Sequence, residues 1–502
     1  MLSFRDQISW GDYLTAFLAG LSLVFAFQPF GWIFFAWLAP AVFFWLNLKP
    51  MLRWQRIRLA WVFGIGMFAG GTHWIFYSIF FFGGGSSFFA GLITTAFIVI
   101  IALMLMLFGW LASLFPYQIP SVKLLLIFPA LWTLTEWFRG WFLTGFPWLQ
   151  LGQSQTDTWL AAYAPIIGSL GVGYIVALGA GALVLVFTGK TLEKVLAVAV
   201  MLATVAAGAM LDRLQWTHPE GEPIYVSLIQ ANILQQEKWV SGLRNVHIQK
   251  HIDLMEPHIM NSDLLIWPET AIPDTFQQTM NELIVPMQDA MKTAGTELLT
   301  GGFHYDQASG AVYNAAMVIG ENLDIYGKRH LVPFSEYFPF LEYLRWLNRF
   351  VDLPYDSVKP WKGSVNLTLA GQPMRISICY EDAYGEEMIE GLPEASMLVN
   401  LSNDGWFTGS IEAQQHVQIA RFRAIETGRY LLRATNNGVS AIFDEKGRAI
   451  ATAPQYEAAI IAAFAQPMRG STLYVFWGNW FLISLLILLS WSVWWISRGK
   501  FR

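Results

Sequence analysis

The 502-residue chain holds a single cysteine, Cys379, and three short segments offer that thiol the partners a nucleophile needs. DLLIWPET (263–270) ends an apolar run at Trp267-Pro268-Glu269. YGKRHLVPFSEYFPF (326–340) carries Lys328 and Glu336. MRISICYEDAY (374–384) delivers Cys379, followed by Tyr380 and Glu381. A free thiol titrates near about 8.5 and reacts as the thiolate, so a base within hydrogen-bond reach must take its proton, and a carboxylate suits that task. Attack on an acyl carbonyl creates an oxyanion. A positioned ammonium or backbone N–H stabilises it by roughly 3–4 kcal/mol per donor.

Taken singly, each residue has a plainer use. A lone cysteine is most often a small buried hydrophobe, Glu269 a solvated carboxylate at a strand end, and Lys328 a residue following the turn at Tyr326-Gly327. The order Glu, Lys, Cys, spaced by 59 and then 51 residues, is what sets them apart. Glu381 and Asp382 adjoin the cysteine, but no His/Cys cluster with ligand spacing accompanies them. No metal and no cofactor is expected, and His330 and His416 read as hydrogen-bonded structural residues.

These residues need a scaffold that brings distant segments to one edge. β-rich runs at 224–230, 264–267, 298–301, 312–319, 374–379, 397–401 and 439–443 alternate with helical patterns at 244–260, 280–294 and 411–427. Asp444–Gly447 reads as a hairpin turn. Residues 220–465 therefore read as an α/β domain. Glu269 and Cys379 stand at strand ends, where ligand sites form in such sheets.

The rest of the chain has a different solvent. Only 13% of residues are charged, about half the share usual in soluble domains, and fourteen of the 67 Lys, Arg, Asp and Glu residues precede position 211. Apolar runs near 11–28, 31–47, 58–81, 87–115, 122–138, 163–188, 193–212 and 473–496 predict eight spans of a bilayer about 30 Å thick. The first run lacks the basic cluster and small-residue site of a cleaved signal. The 24 tryptophans suit wide water–lipid interfaces, and Glu136 and Arg139 lie at the outer end of a span, where they could pair or meet a head group. Lys49, Arg53, Arg56 and Arg58 follow the second run. Lys123 follows the fourth, Lys190 and Lys194 the sixth, and Arg498, Lys500 and Arg502 the eighth, whereas Gln28–Gly31 and the GGGSS loop carry no basic residue. By the positive-inside rule both termini are cytoplasmic and 214–470 lies outside. One cysteine excludes an intramolecular disulfide, and a net charge of −5 gives no hint of nucleic-acid binding.

The Glu-Lys-Cys order in these contexts resembles the nitrilase, or carbon–nitrogen hydrolase, superfamily. With the spans, the chain is similar to the apolipoprotein N-acyltransferases, and EWFRGWFLTGFPWLQLGQSQ (136–155), NLSNDGWF (400–407) and RATNNG (433–438) agree with that family. The resemblance implies a polytopic α-helical membrane domain of eight spans (helices 1–7 over 1–213, the last span and cytoplasmic tail over 471–502). It also implies an extracytoplasmic nitrilase-like αββα sandwich over 214–470, and an address in the bacterial inner membrane with the catalytic domain periplasmic. It makes Glu269 the base, Lys328 the oxyanion stabiliser and Cys379 the nucleophile, with Glu336, Glu381, Tyr380 and Trp239 supporting. Trp137, Arg139 and Trp148 are candidate lipid contacts. The implied reaction moves an acyl chain from a membrane glycerophospholipid through a Cys379 thioester to the N-terminal amine of a diacylglyceryl-cysteine apolipoprotein. A membrane-tethered amidase is the alternative. The partners are then the phospholipid donor and the lipoprotein acceptor, with no nucleic acid, and the enzyme is expected to be a monomer.

Overall fold

The computed structural model describes residues 8–83, 86–115, 118–337, 339 and 358–499. Gly84, Gly85, Phe338, Phe340, Lys500 and Arg502, which figure in the loops and motifs above, lie outside the described residues. Two compact units form. One comprises Met1–Trp216, Phe407–Glu426 and Thr472–Arg502; the other comprises Thr217–Trp406 and Thr427–Ser471.

In the first unit, helices fall at all eight apolar runs. Ser87–Ala112, Pro120–Thr144, Trp159–Thr188 and Thr191–Leu211 are long and apolar enough to cross a membrane. Arg53–Gly71 and Ile75–Phe82 make a fifth span only if counted together across a 59° bend. Trp10–Ala26, Phe35–Leu48 and Trp480–Ile496 are apolar but shorter. At about 1.5 Å per residue, helices of this size fall short of a hydrocarbon layer about 30 Å thick. Leu192, Leu202 and Met210 on Thr191–Leu211 are exposed, an apolar surface that lipid can cover. Glycines bring the first and third helices together: a Cβ on Gly20 would sit 2.0 Å from the Phe63 carbonyl oxygen, and one on Gly66 2.1 Å from that of Phe17.

The helix Glu412–Thr427 is tied into this unit by buried polar contacts. Gln415 accepts from the indoles of Trp148 at 2.7 Å and Trp74 at 3.1 Å, and Glu426 accepts from the backbone of Ser169 at 2.5 Å. Through residue 426 it therefore groups with the spans rather than with the sheets that flank it in sequence.

The second unit is a two-sheet sandwich. Its strands are β1 (Thr217–Pro219), β2 (Ile224–Gln230), β3 (Leu264–Ile266), β4 (Glu297–Asp306), β5 (Ala311–Ile319), β6 (Leu323–Gly327), β7 (Asn366–Leu369), β8 (Gln372–Ile378), β9 (Met397–Ser402), β10 (Tyr430–Thr435), β11 (Ala441–Phe443), β12 (Ala449–Thr452), β13 (Ala459–Ala465) and β14 (Met468–Gly470). Sheet order is β13-β2-β3-β4-β5-β6 in one layer and β12-β11-β10-β9-β8-β7 in the other, with β1 and β14 as a separate pair. Each large sheet has a parallel centre, β2-β3-β4 and β8-β9-β10, flanked by antiparallel strands. The hairpin expected at Asp444–Gly447 joins β11 to β12.

Alternation explains the layers. Val226, Leu228, Leu264 and Ile266 point into the core shared with Met374, Ile376, Ile378, Val399 and Leu432 of the other sheet. Ile229 and Leu265 point the other way, against Ile248 and Met255 of Arg244–Met255 and Met287 and Met291 of Val285–Ala294. Side chains of successive strand residues face opposite ways, and a sheet covered on both faces reads as a continuous apolar run.

Candidate active site

Glu269, Lys328 and Cys379 each follow the last residues of a strand: β3, β6 and β8. Glu269 is 8% exposed and Lys328 1%. The Lys328 ammonium lies 2.9 Å from Glu336 Oε1 and 3.7 Å from Glu269 Oε1. Asn314 Nδ2 donates to Glu269 Oε1 at 2.8 Å and to Glu336 Oε1 at 3.0 Å, and Glu336 Oε2 accepts from the Val332 backbone at 2.8 Å. Two carboxylates, one ammonium and one amide thus form one connected, largely buried cluster. Burial works against the Lys328 charge, but Glu336 and Glu269 outweigh it and hold the ammonium protonated well above the usual lysine range. Lys328 is thereby held as a cation between the two carboxylates. Among the described residues the hydrogen bonds of the Glu269 carboxylate use Oε1, so its second oxygen can take a proton.

Cys379 opens the turn Cys379–Ala383 in a left-handed backbone conformation, φ +53°. For a residue with a Cβ this costs of order 1–3 kcal/mol and persists only where surroundings enforce it. The enforcement is on both sides. Asn400 Nδ2 donates to the Cys379 carbonyl at 3.2 Å and to Ser377 Oγ at 3.0 Å. Arg433, fully buried on β10, donates to Asn400 Oδ1 at 2.5 Å and to Asp382 Oδ2 at 2.8 Å. The RATNNG and NLSNDGWF motifs thereby act on the cysteine's backbone. Cys379 is partly buried, and both Lys328 and Lys238 lie close enough for its charge to act on theirs.

Glu381 works on the main chain. Oε2 accepts from the Ile378 N–H at 2.6 Å, Oε1 accepts from those of Arg329 at 2.6 Å and His330 at 3.1 Å, and the Tyr326 hydroxyl donates to both oxygens. It joins the start of the Cys379 turn to the strand end that carries Lys328. Tyr380 stacks edge-on against Tyr384 and His330. Trp239 is half-exposed, its ring 6.0 Å from Phe303.

The three candidate lipid contacts lie in the helical unit and differ. Arg139 is buried and donates to the carbonyls of Phe146 and Trp148, and Trp148 is buried on Gln415, so neither side chain has surface for a head group. Trp137 is part-exposed, 5.5 Å from Trp141 and 5.8 Å from Trp480.

Sequence reasoning passed over Asn314 and Lys238. Asn314 is the one polar side chain within AVYNAAMVI after its tyrosine, and such a break in an apolar strand is itself a signal. Lys238 gave no signal beyond adjacency to Trp239.

Residues 19–182 match the family described as apolipoprotein N-acyltransferase N-terminal domain, and 225–473 match carbon–nitrogen hydrolase. The chain is 40% identical over 475 residues to the apolipoprotein N-acyltransferase of Methylococcus capsulatus, covering 94% of each, and 33% identical to that of Coxiella burnetii, covering 95% of this chain and 98% of that one. The solved Nit3 of Saccharomyces cerevisiae, a nitrilase-superfamily protein, is 17% identical, with a TM-score of 0.39, over 51% of this chain and 93% of that one.

Proposed function

The chain belongs to the apolipoprotein N-acyltransferase family, a family of membrane enzymes of lipoprotein maturation, and from that premise we infer how its own residues carry acyl transfer. Glu269 takes the proton of Cys379. The thiolate attacks the acyl ester carbonyl of a glycerophospholipid. The Lys328 ammonium and the backbone N–H of Tyr380 stabilise the oxyanion, and the tetrahedral adduct collapses to a thioester as Glu269 returns the proton to the departing lysophospholipid. The α-amino group of a diacylglyceryl-cysteine apolipoprotein then attacks the thioester. Glu269 accepts its proton, an amide forms, and the cysteine leaves to be reprotonated. The single observation behind this reading is the buried Glu269–Lys328–Asn314–Glu336 cluster beside the turn of Cys379.

The distribution of basic loops supports an arrangement with both termini cytoplasmic and the 214–470 domain on the periplasmic side of a bacterial inner membrane, which the eight apolar helical segments would span, and we take the enzyme to act as a monomer. Donor and acceptor are both lipid-anchored, so a membrane mount replaces a three-dimensional search. Trp137, with Trp141 and Trp480, is the candidate to meet lipid, while Arg139 acts from inside by holding the carbonyls of Phe146 and Trp148 in the loop that follows its span.

The match to carbon–nitrogen hydrolases keeps one rival, an amidase that releases its acyl group to water. Mass spectrometry of the purified enzyme after incubation with phospholipid separates the two. The expected result is a fatty-acyl adduct on Cys379, removed by hydroxylamine, absent in Cys379→Ala, and passed to a diacylglyceryl-cysteine peptide as an amide. Release of free fatty acid with no acylated peptide would establish the hydrolase instead.

A further inference from the structure

A second lysine is buried beside the base. Lys238 is 4% exposed, and its ammonium donates to the main-chain oxygen of Glu269 at 3.0 Å. Its neighbour Trp239 is half-exposed, so the segment between β2 and Arg244–Met255 turns its cation inward and its indole outward. Burying an ammonium without pairing is expensive, and acyl transfer as described gives this one no task.

The segment is built to hold it there. The Asn232 N–H donates to the Asn436 carbonyl at 2.8 Å, and the Ile233 N–H to Asn436 Oδ1 at 2.9 Å. Asn436 Nδ2 donates to the Ile233 carbonyl at 2.8 Å and to Asn403 Oδ1 at 3.1 Å, and Asn403 Nδ2 donates to Gln235 Oε1 at 2.8 Å. Asn403 and Asn436 follow β9 and β10, the strands that carry Asn400 and Arg433. The same two strand ends therefore fix both the nucleophile's turn and the loop bearing Lys238. Above Lys238 the base sits in a tight turn whose next residue, Thr270, has φ +47°.

The charged and titratable groups acting on Lys238 are Glu269 and Cys379, which favour its ammonium. On the neighbouring segment and helix stand Glu237, Lys250, His247 and His251. His251 is pushed by burial to about 3 and stays neutral, and burial lowers His247 as well. Lys328 lies 3.7 Å from Glu269, and Glu336 is joined to Glu269 through Asn314.

We propose that Lys238 is a positioning residue for the base: its ammonium pins the main chain of Glu269 and supplies a second positive charge that favours the Glu269 carboxylate and the Cys379 thiolate together. This rests on the Glu269–Lys328–Cys379 reading.

The 502-residue chain has one thiol, so the pH dependence of Cys379 alkylation by iodoacetamide reports the site directly. Lys238→Met removes a positive charge from beside two anions. The alkylation midpoint should then move to higher pH by about one unit, and the rate of acyl-enzyme formation should fall roughly tenfold to a hundredfold at unchanged KM for phospholipid. Lys238→Arg keeps the charge at every pH and should hold the midpoint at or below the wild-type value. Should K238M not fold, K238Q, which keeps a donor for the Glu269 carbonyl but no charge, carries the same test. A K238M or K238Q midpoint equal to wild type, or a K238R midpoint displaced as far as that of K238M, overturns the proposal. Wild-type enzyme whose Cys379 forms no acyl adduct overturns the triad reading itself, a distinct result.

Discussion

Asn314 and Glu269 are joined at 2.8 Å by an amide that also reaches Glu336 at 3.0 Å. The main chain of Asn314 accepts from the Lys328 N–H at 2.7 Å, so one residue of β5 sets the spacing of base, cation and second carboxylate. Asn314→Ala leaves two buried carboxylates short of a donor, which costs about 1–3 kcal/mol. Acyl-enzyme formation, followed by quenched-flow mass spectrometry, should slow at least about tenfold as Glu269 loses its orientation. Asn314→Asp adds a third carboxylate to the cluster and should be worse than alanine in both stability and rate. An N314D enzyme as stable as wild type would contradict the geometry.

Lys328→Met tests whether the cluster is held by charge balance. Removing the ammonium leaves Glu269 and Glu336 facing each other in a buried site, a loss of about 3–5 kcal/mol for a broken buried pair. The double variant Lys328→Met/Glu336→Gln removes one negative charge as well and should recover part of that loss in thermal unfolding. It should recover no acyl transfer, because the oxyanion still lacks its cation. Recovery of activity alongside stability would mean that Lys328 is structural only.

Glu381→Gln separates scaffolding from chemistry. The carboxylate accepts from three backbone N–H groups and the Tyr326 hydroxyl. A glutamine would turn its own N–H groups toward some of these donors, at about 1–3 kcal/mol for each buried donor left unmatched. The variant should unfold at lower temperature, and its residual activity should keep the wild-type pH profile, since Glu381 takes no proton in the reaction. A displaced profile at wild-type stability would assign Glu381 to the chemistry.

What was legible in the chain follows the same physics. β2 and β3 stand out because both faces of their sheet are covered, which makes their residues uniformly apolar. Glu269 and Cys379 stand out because each follows such a run, and Lys328 through its place between them in the Glu-Lys-Cys order. β10 does not, since Arg433 sits in the middle of it and a buried cation reads as solvent exposure until Asp382 and Asn400 are seen around it. β6 opens on the exposed residues Leu323 and Asp324 and is masked for that reason. The attachment of Glu412–Thr427 to the spans depends on contacts such as Gln415 with Trp148, 267 residues away, which no local pattern encodes. Arg139 is hidden for a different reason: its partners are close in sequence, but its span position reads as interfacial, and only the turn of the following loop brings the carbonyls of Phe146 and Trp148 back onto it.

Lys238 makes a last prediction, for stability against pH. Burial depresses its ammonium to about 8, from an ordinary value of 10.5, although Glu269 and Cys379 oppose the shift. The unfolded chain therefore binds this proton more tightly than the folded one. Between pH 8 and 10.5 the unfolded state holds more protons, and stability should rise with pH across that window. The full shift corresponds to roughly 3 kcal/mol. Lys328 acts in the opposite sense but higher, because its proton is held above the usual lysine range and is lost from the folded protein only beyond this window. Subtracting the unfolding free energies of Lys238→Met from those of wild type, measured in detergent from pH 7.5 to 10, should thus leave a term that grows with pH. A flat difference would mean that Lys238 titrates normally, with its ammonium solvated rather than enclosed beneath the base.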